Sequence, residues 1–140
     1  MNLLRGKSIL SVSIREFTPK TRRVTPIEKK KEFRNRMLAE IDNISAIQEL
    51  SRGKRLSVAV SFYLYSGSAE EGRAKKDLDN LLKIVLDTLP DNLDRGHTEA
   101  GLGLIEEDGD HLIFNVVATK KLVRDPAEEG IDLEIFEWLE

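Results

Sequence analysis

The 140-residue sequence contains no cysteine. That absence excludes disulfides, thiolate metal sites and a cysteine nucleophile. Histidine is nearly as scarce. His97 and His111 are the two present, far apart in the chain, which argues against a zinc site. No apolar run approaches the ~18 residues of a membrane-spanning helix, and the first residues lack a secretory apolar region, so a cytoplasmic protein is expected. The nine glycines follow no phosphate-loop pattern, and no serine sits in a motif for nucleophilic catalysis. Internal repeats and low-complexity segments are also lacking.

What is present is an ordinary globular composition, 40% apolar and 34% charged, in a length that suits a single domain over residues 1–140. The net charge of −3 conceals a division. Residues 1–36 carry 11 Lys and Arg against 3 acids, whereas residues 77–140 carry 5 against 17. A basic first quarter suits contact with an anionic polymer. An acidic second half suits either a concentration of carboxylates at a metal site or a solvated surface.

Residues 8–17 alternate Leu10, Val12 and Ile14 with Ser11, Ser13 and Arg15, the pattern of a strand with one buried face. Pro19 and Pro26 punctuate the basic segment that follows. Thr25, Pro26 and Glu28 then read as a helix start, with Thr25 as N-cap, proline in the first turn and T-x-x-E as a capping box. Phe33, Met37, Ile41 and Ile44 continue at helical spacing. Cations crowd the first half of this helix and oppose its macrodipole, which a bound phosphate would relieve. Residues 51–54 form a turn. Leu56, Val58, Val60, Phe62 and Leu64 alternate with Ser57, Ala59, Ser61 and Tyr63 in the clearest strand of the chain. Residues 66–76 read as a mobile loop.

Residues 101–106 and 111–119 read as two strands joined in a hairpin by the polar turn E-D-G-D. Ile131, Leu133 and Ile135 make a last strand. The expected order is β-α-β-α-β-β-β: an α/β (α+β) domain, with a mixed sheet of about five strands and two main helices on one face.

The chain is organised around residues 75–89, K-K-D-L-D-N-L-L-K-I-V-L-D-T-L. Leu78, Leu81, Leu82, Val85, Leu86 and Leu89 share one broad helical face, and Asn80, Lys83 and Asp87 fall elsewhere. Asp77 and Asp79 are two residues apart, so they leave an extended segment on the same side. Lys83 lies one turn beyond Asp79. Two acids and a lysine facing a common point suit a divalent metal ion with a phosphate beside it. Simpler roles exist for each. An aspartate at this place is a favoured helix N-cap, and Lys83 is spaced to pair with Asp87.

This stretch resembles the D-L-D-N-L-x-K signature of the RusA-type crossover junction resolvases, carried here by Asp77, Leu78, Asp79, Asn80, Leu81 and Lys83. The resemblance implies a small α/β nuclease, working as a homodimer with two active sites, which cuts four-way (Holliday) DNA junctions by paired symmetric nicks that leave 5′-phosphate and 3′-hydroxyl ends. It implies Mg²⁺ as cofactor, with Mn²⁺ as a substitute, and no organic cofactor. It also implies a third aspartate at the end of the strand after the helix, usually in an Asp-Asp pair. Here E-E-D-G-D (Glu106 to Asp110) stands in that place. Asp108 is preferred as third ligand, because Leu112 and Ile113 then follow at about the family's spacing, and Glu107 and Asp110 stay open. The expected catalytic set is Asp77, Asp79, Asp108 and Lys83, the three aspartates holding metal.

Lys20, Arg22, Arg23, Lys29 and Lys30, with Arg73, Lys75 and Lys76 on the loop, are the expected DNA contacts. They would read phosphates, and so backbone shape rather than base sequence. Two other readings stay open: a protein of the same fold that binds or assembles on DNA without efficient catalysis, and a nuclease for other branched DNA.

Overall fold

The computed structural model describes residues 5–19, 25–65, 78–93, 99–106 and 109–139, with Arg5 and Asp110 described by their backbone alone. Strand β1 (Arg5–Arg15) is followed by helices α1 (Pro26–Glu40) and α2 (Ile44–Ser51), strand β2 (Leu56–Tyr65), helix α3 (Leu78–Leu86), and strands β3 (Ile113–Val123) and β4 (Gly130–Trp138). The four strands form one mixed sheet in the order β1-β4-β2-β3. β4 runs antiparallel to both β1 and β2, and β3 runs parallel to β2. The α+β class is therefore as expected, with four strands in the sheet rather than about five. Among the described residues, no helix is long and apolar enough to cross a membrane.

The alternation in β2 does what its pattern requires. Leu56, Val58, Val60, Phe62 and Leu64 are buried, and Ala59, Ser61, Tyr63 and Tyr65 are less so. Its buried residues join Leu10, Val12 and Ile14 of β1 and Ile131, Leu133 and Ile135 of β4 in one core, closed by Phe33 and Met37 of α1 and by Leu81, Ile84 and Val85 of α3. The opposite face is polar. Ser11, Ser13, Ser61, Thr119, Asp132 and Glu134 line an open trough of about 410 Å³ on it.

Helix α1 starts as its sequence dictates. Thr25 Oγ1 accepts from the Glu28 N–H, and the Glu28 carboxylate accepts from the Thr25 N–H, both at 3.2 Å. The helical spacing that runs on to Ile44 is interrupted, however. Ile41 is extended (φ −104°, ψ 119°), and Asn43 opens α2 by accepting from the Ala46 N–H at 3.2 Å. An asparagine that satisfies a free N–H at this place favours a new helix start.

The expected hairpin of residues 101–106 with 111–119 does not form. Residues 101–105 lie instead along the chain that leaves α3. The N–H groups of Gly101, Leu102, Gly103 and Leu104 donate to the carbonyls of Asp91, Thr88, Pro90 and Leu89 at 2.7–3.0 Å. Glycine permits this approach: a Cβ on Gly101 would stand 2.1 Å from the Pro90 carbonyl oxygen. The segment buries Leu102, Leu104 and Ile105 in this position. The turn after it is a short 3₁₀ helix, Gly109–Leu112, which delivers β3 to the edge of β2 in parallel.

Candidate active site

Helix α3 separates its residues by chemistry. Leu81, Ile84 and Val85 are buried, and Leu78, Leu82 and Leu86 pack against the core from its margin. Asp79, Asn80 and Lys83 are left exposed on the other side. Asp79 and Lys83 are one helical turn apart, so their side chains share a face. Asp79 Oδ1 accepts from the Asn80 N–H at 3.0 Å, a local contact that leaves the carboxylate open to solvent. Among the described residues, neither Asp79 nor Lys83 has an ion-pair partner. The pairing of Lys83 with Asp87 that their spacing permits is not made, because Asp87 is held elsewhere.

The other expected ligands are placed less completely. Asp77, Glu107 and Asp108 lie outside the described residues, and Asp110 is described only as backbone within the turn Gly109–Leu112. Of the catalytic set, the described structure therefore brings together Asp79 and Lys83. Among the described residues, no group of three or more acids or histidines could hold a metal ion. As an oxygen donor facing solvent, Asp79 fits one ligand position of a hard divalent cation.

The expected DNA contacts divide in two. Lys20, Arg22, Arg23, Arg73, Lys75 and Lys76 lie outside the described residues. Lys29 and Lys30, expected on a DNA-facing surface, are instead 4% and 5% exposed. Lys29 Nζ donates to the Thr18 carbonyl and to Glu32 Oε1, both at 2.8 Å, and lies 4.8 Å from the centre of the Phe17 ring. Lys30 Nζ pairs with Asp87 Oδ2 at 2.9 Å, tying α1 to the residue after α3. The physical reason is the helix stripe. Lys30, Phe33 and Met37 stand at i, i+3 and i+7, so the buried face of α1 runs back through the lysines. Long aliphatic stems make such burial tolerable when the ammonium finds a partner.

The other cations of α1 are engaged as well. Arg34 donates to Glu99 at 3.2 Å and to the Ala100 carbonyl at 2.8 Å, and Lys31 lies 3.4 Å from Glu99. Hydrogen bonds from Arg34 and then Lys31 hold the Glu99 carboxyl below the ordinary carboxylate value. Arg36 donates to the Arg15 and Glu16 carbonyls. Part of the charge division in the sequence thus closes on itself, with Lys30, Lys31 and Arg34 of the basic helix facing Asp87 and Glu99 of the second half.

One polar cluster went unread in the sequence because its members stand on three different strands. Asp132 Oδ1 accepts from Ser13 Oγ at 2.6 Å and from Arg15 Nη1 at 2.8 Å, and its Oδ2 accepts from the Tyr63 hydroxyl at 2.7 Å. The Arg15 guanidinium lies 4.3 Å from the Tyr63 ring centre. Burial works to raise the Asp132 carboxyl, but these three donors outweigh it and the carboxyl lies below its ordinary value. The clue available in the sequence was the polar half of each strand's alternation.

Comparison with protein-family models, with curated proteins and with solved structures finds no match.

Two outcomes follow from these electrostatics. Asp87→Ala strands the buried Lys30 ammonium and costs about 3 kcal/mol, whereas Lys30→Met replaces it with an apolar chain and costs clearly less. Urea denaturation of both variants measures the difference. For Asp132 the folded pKa is depressed, so its stabilisation is present above the unfolded carboxylate value and is lost as pH falls through the folded one. Asp132→Asn therefore costs about 1 kcal/mol near neutral pH, since the cluster is partly exposed. Denaturation at a series of pH values should show that gap closing in acid.

Proposed function

We propose that the protein is a Mg²⁺-dependent, structure-selective endodeoxyribonuclease that acts on four-way DNA junctions as a homodimer, cutting by paired symmetric nicks. The observation that carries this reading is the placement of Asp79 and Lys83. They share the solvent-facing side of α3, free of ion pairs with other described residues, inside the D-L-D-N-L-x-K signature. A buried apolar face on the same helix fixes their direction.

In this reading Asp77, Asp79 and one acid of the Glu106–Asp110 turn, Asp108 by preference, hold the metal. Bound Mg²⁺ supplies Lewis-acid activation of water and charge for the leaving oxygen. Asp79 offers its carboxylate from a helix start whose N–H groups favour an anion. Lys83 directs its ammonium to a phosphate oxygen on the same side, adding positive charge where negative charge develops. Asn80 orients Asp79 through the contact of its N–H with Oδ1. Since Lys29 and Lys30 are engaged internally, the DNA contacts fall to Lys20, Arg22, Arg23, Arg73, Lys75 and Lys76.

A second reading is a DNA-binding or assembly protein of the same fold without efficient catalysis. It is favoured by E-E-D-G-D in place of an Asp-Asp pair and by the internal engagement of α1. A nuclease for other branched DNA is a variant of the first reading, and a panel of branched substrates at stated salt separates the two.

The test is nicking of a synthetic four-way junction in Mg²⁺. Asp79→Asn and Lys83→Met are each expected to lose about 10²-fold or more in rate. Cutting by Asp79→Asn equal to wild type contradicts the assignment, and tight junction binding with no cutting by the wild type supports the second reading.

A further inference from the structure

The one buried residue of helix α2 is polar. Ser51 is 0% exposed, and its Oγ donates to the Leu104 carbonyl at 2.7 Å. Three residues earlier, on the same face of the helix, Gln48 Nε2 donates to the Leu102 carbonyl at 3.0 Å. The N–H groups of Leu102 and Leu104 bond a different element, the chain leaving α3, donating to the Thr88 and Leu89 carbonyls at 2.8 Å. Residues 102–104 are therefore held twice, by backbone to the exit of α3 and by two side chains to α2. Leu102 and Leu104 are themselves buried, and a buried carbonyl without a donor is costly. Gly103 lets α2 come this close. At its φ of +68°, a Cβ would stand 2.6 Å from Gln48 Nε2.

This clamp ends two residues before Glu106. Ile105 follows Leu104, is buried, and forms a bridge with Pro90. The Glu106 carbonyl then accepts from the Gly109 N–H at 2.8 Å, and a Cβ on Gly109 would stand 3.1 Å from Ile105 Cβ. Glu106 and Gly109 are thus bonded to each other and seated on the residue next to the clamp. Glu107 and Asp108, outside the described residues, fall between them in the chain. We propose that Gln48 and Ser51 are positioning residues for the third metal ligand. By fixing the Leu102 and Leu104 carbonyls, they set where the Glu106–Asp110 turn offers its carboxylate to the ion held by Asp79. Neither side chain is a ligand; each acts through the backbone that carries the acid. A displacement of about 1 Å at a catalytic group is enough to lose most of its effect. This assignment rests on the nuclease reading, in which an acid of that turn completes the site.

Ser51→Ala and Gln48→Met each remove a donor with little change in side-chain volume. Two readouts are taken on the full chain: Mn²⁺ binding by electron paramagnetic resonance, and the Mg²⁺ dependence of junction nicking. Ser51→Ala is expected to weaken Mn²⁺ binding by about tenfold or more. It should raise the Mg²⁺ concentration for half-maximal nicking by a similar factor, while saturating Mg²⁺ restores most of the rate. Gln48→Met, at a partly exposed position, shifts both in the same direction by less, and it decides the matter if Ser51→Ala fails to fold. Val58→Ala, in the core of β2, is the control: it lowers stability and keeps the wild-type metal affinity. Urea denaturation shows which variants are folded. Folded variants that bind Mn²⁺ as the wild type does overturn the proposal. So does a lower rate at every Mg²⁺ concentration with an unshifted midpoint, the sign of a merely structural role. A wild-type chain that neither binds Mn²⁺ nor nicks overturns the nuclease reading and this assignment with it. Wild-type nicking with unshifted variants overturns this assignment alone.

Discussion

A buried ammonium governs the arrangement of the helical layer. Lys30 is 5% exposed, and a charge that far from water is tolerable only beside a partner. Asp87 is that partner, at 2.9 Å, and it stands one turn beyond Lys83. The pair therefore joins α1 to the end of α3 across the core formed by Phe33, Met37, Leu81 and Val85. With one end of α3 held by a charge and one face by leucines, its remaining face has a fixed direction. That face carries Asp79 and Lys83. The same pair removes Asp87 from Lys83, its neighbour in the helix, and leaves the Lys83 ammonium available. Structure and candidate chemistry are thus linked through a lysine that the proposed reaction does not use.

The charge pattern takes a different meaning once the chain is folded. In the sequence, a basic first quarter and an acidic second half suggest separate partners for each. In the structure, Lys30, Lys31 and Arg34 of α1 meet Asp87 and Glu99. Contacts between the two halves of the chain then account for part of the segregation, and a basic helix is not by itself a DNA surface. The opposite face of the sheet follows similar logic on a smaller scale. Asp132 gathers Ser13, Arg15 and Tyr63 there, so an uncovered face is ordered by polar contacts rather than by packing.

Much of the fold was legible because period-2 and period-3.6 patterns report burial directly. The alternation of residues 56–64 became β2, residues 131–135 fell within β4, and T-x-x-E with Pro26 became the capped start of α1. Patterns do not name partners. The apolar residues of 101–106 do bury their side chains, but they lie along residues 88–91, because Gly101 lets the backbone approach there, and not against β3. Lys29 and Lys30 were misread because their residue type suggested solvent while their spacing from Phe33 and Met37 placed them inside. The candidate site divides along the same line. Asp79 and Lys83 were readable together because one helix carries both. The third acid depends on where a turn lies in space, which no local pattern encodes.

The central claim is that the start of α3 and the Glu106–Asp110 turn converge on one metal site. A crystal structure grown with Mn²⁺, located by its anomalous scattering, tests it most directly. The account predicts an ion bound by carboxylate oxygens of Asp77, Asp79 and one of Glu107, Asp108 and Asp110, at about 2.0–2.2 Å, with Lys83 on the same side. A structure in which Asp77 turns back to cap α3, and no ion joins Asp79 to the turn at saturating Mn²⁺, would contradict it.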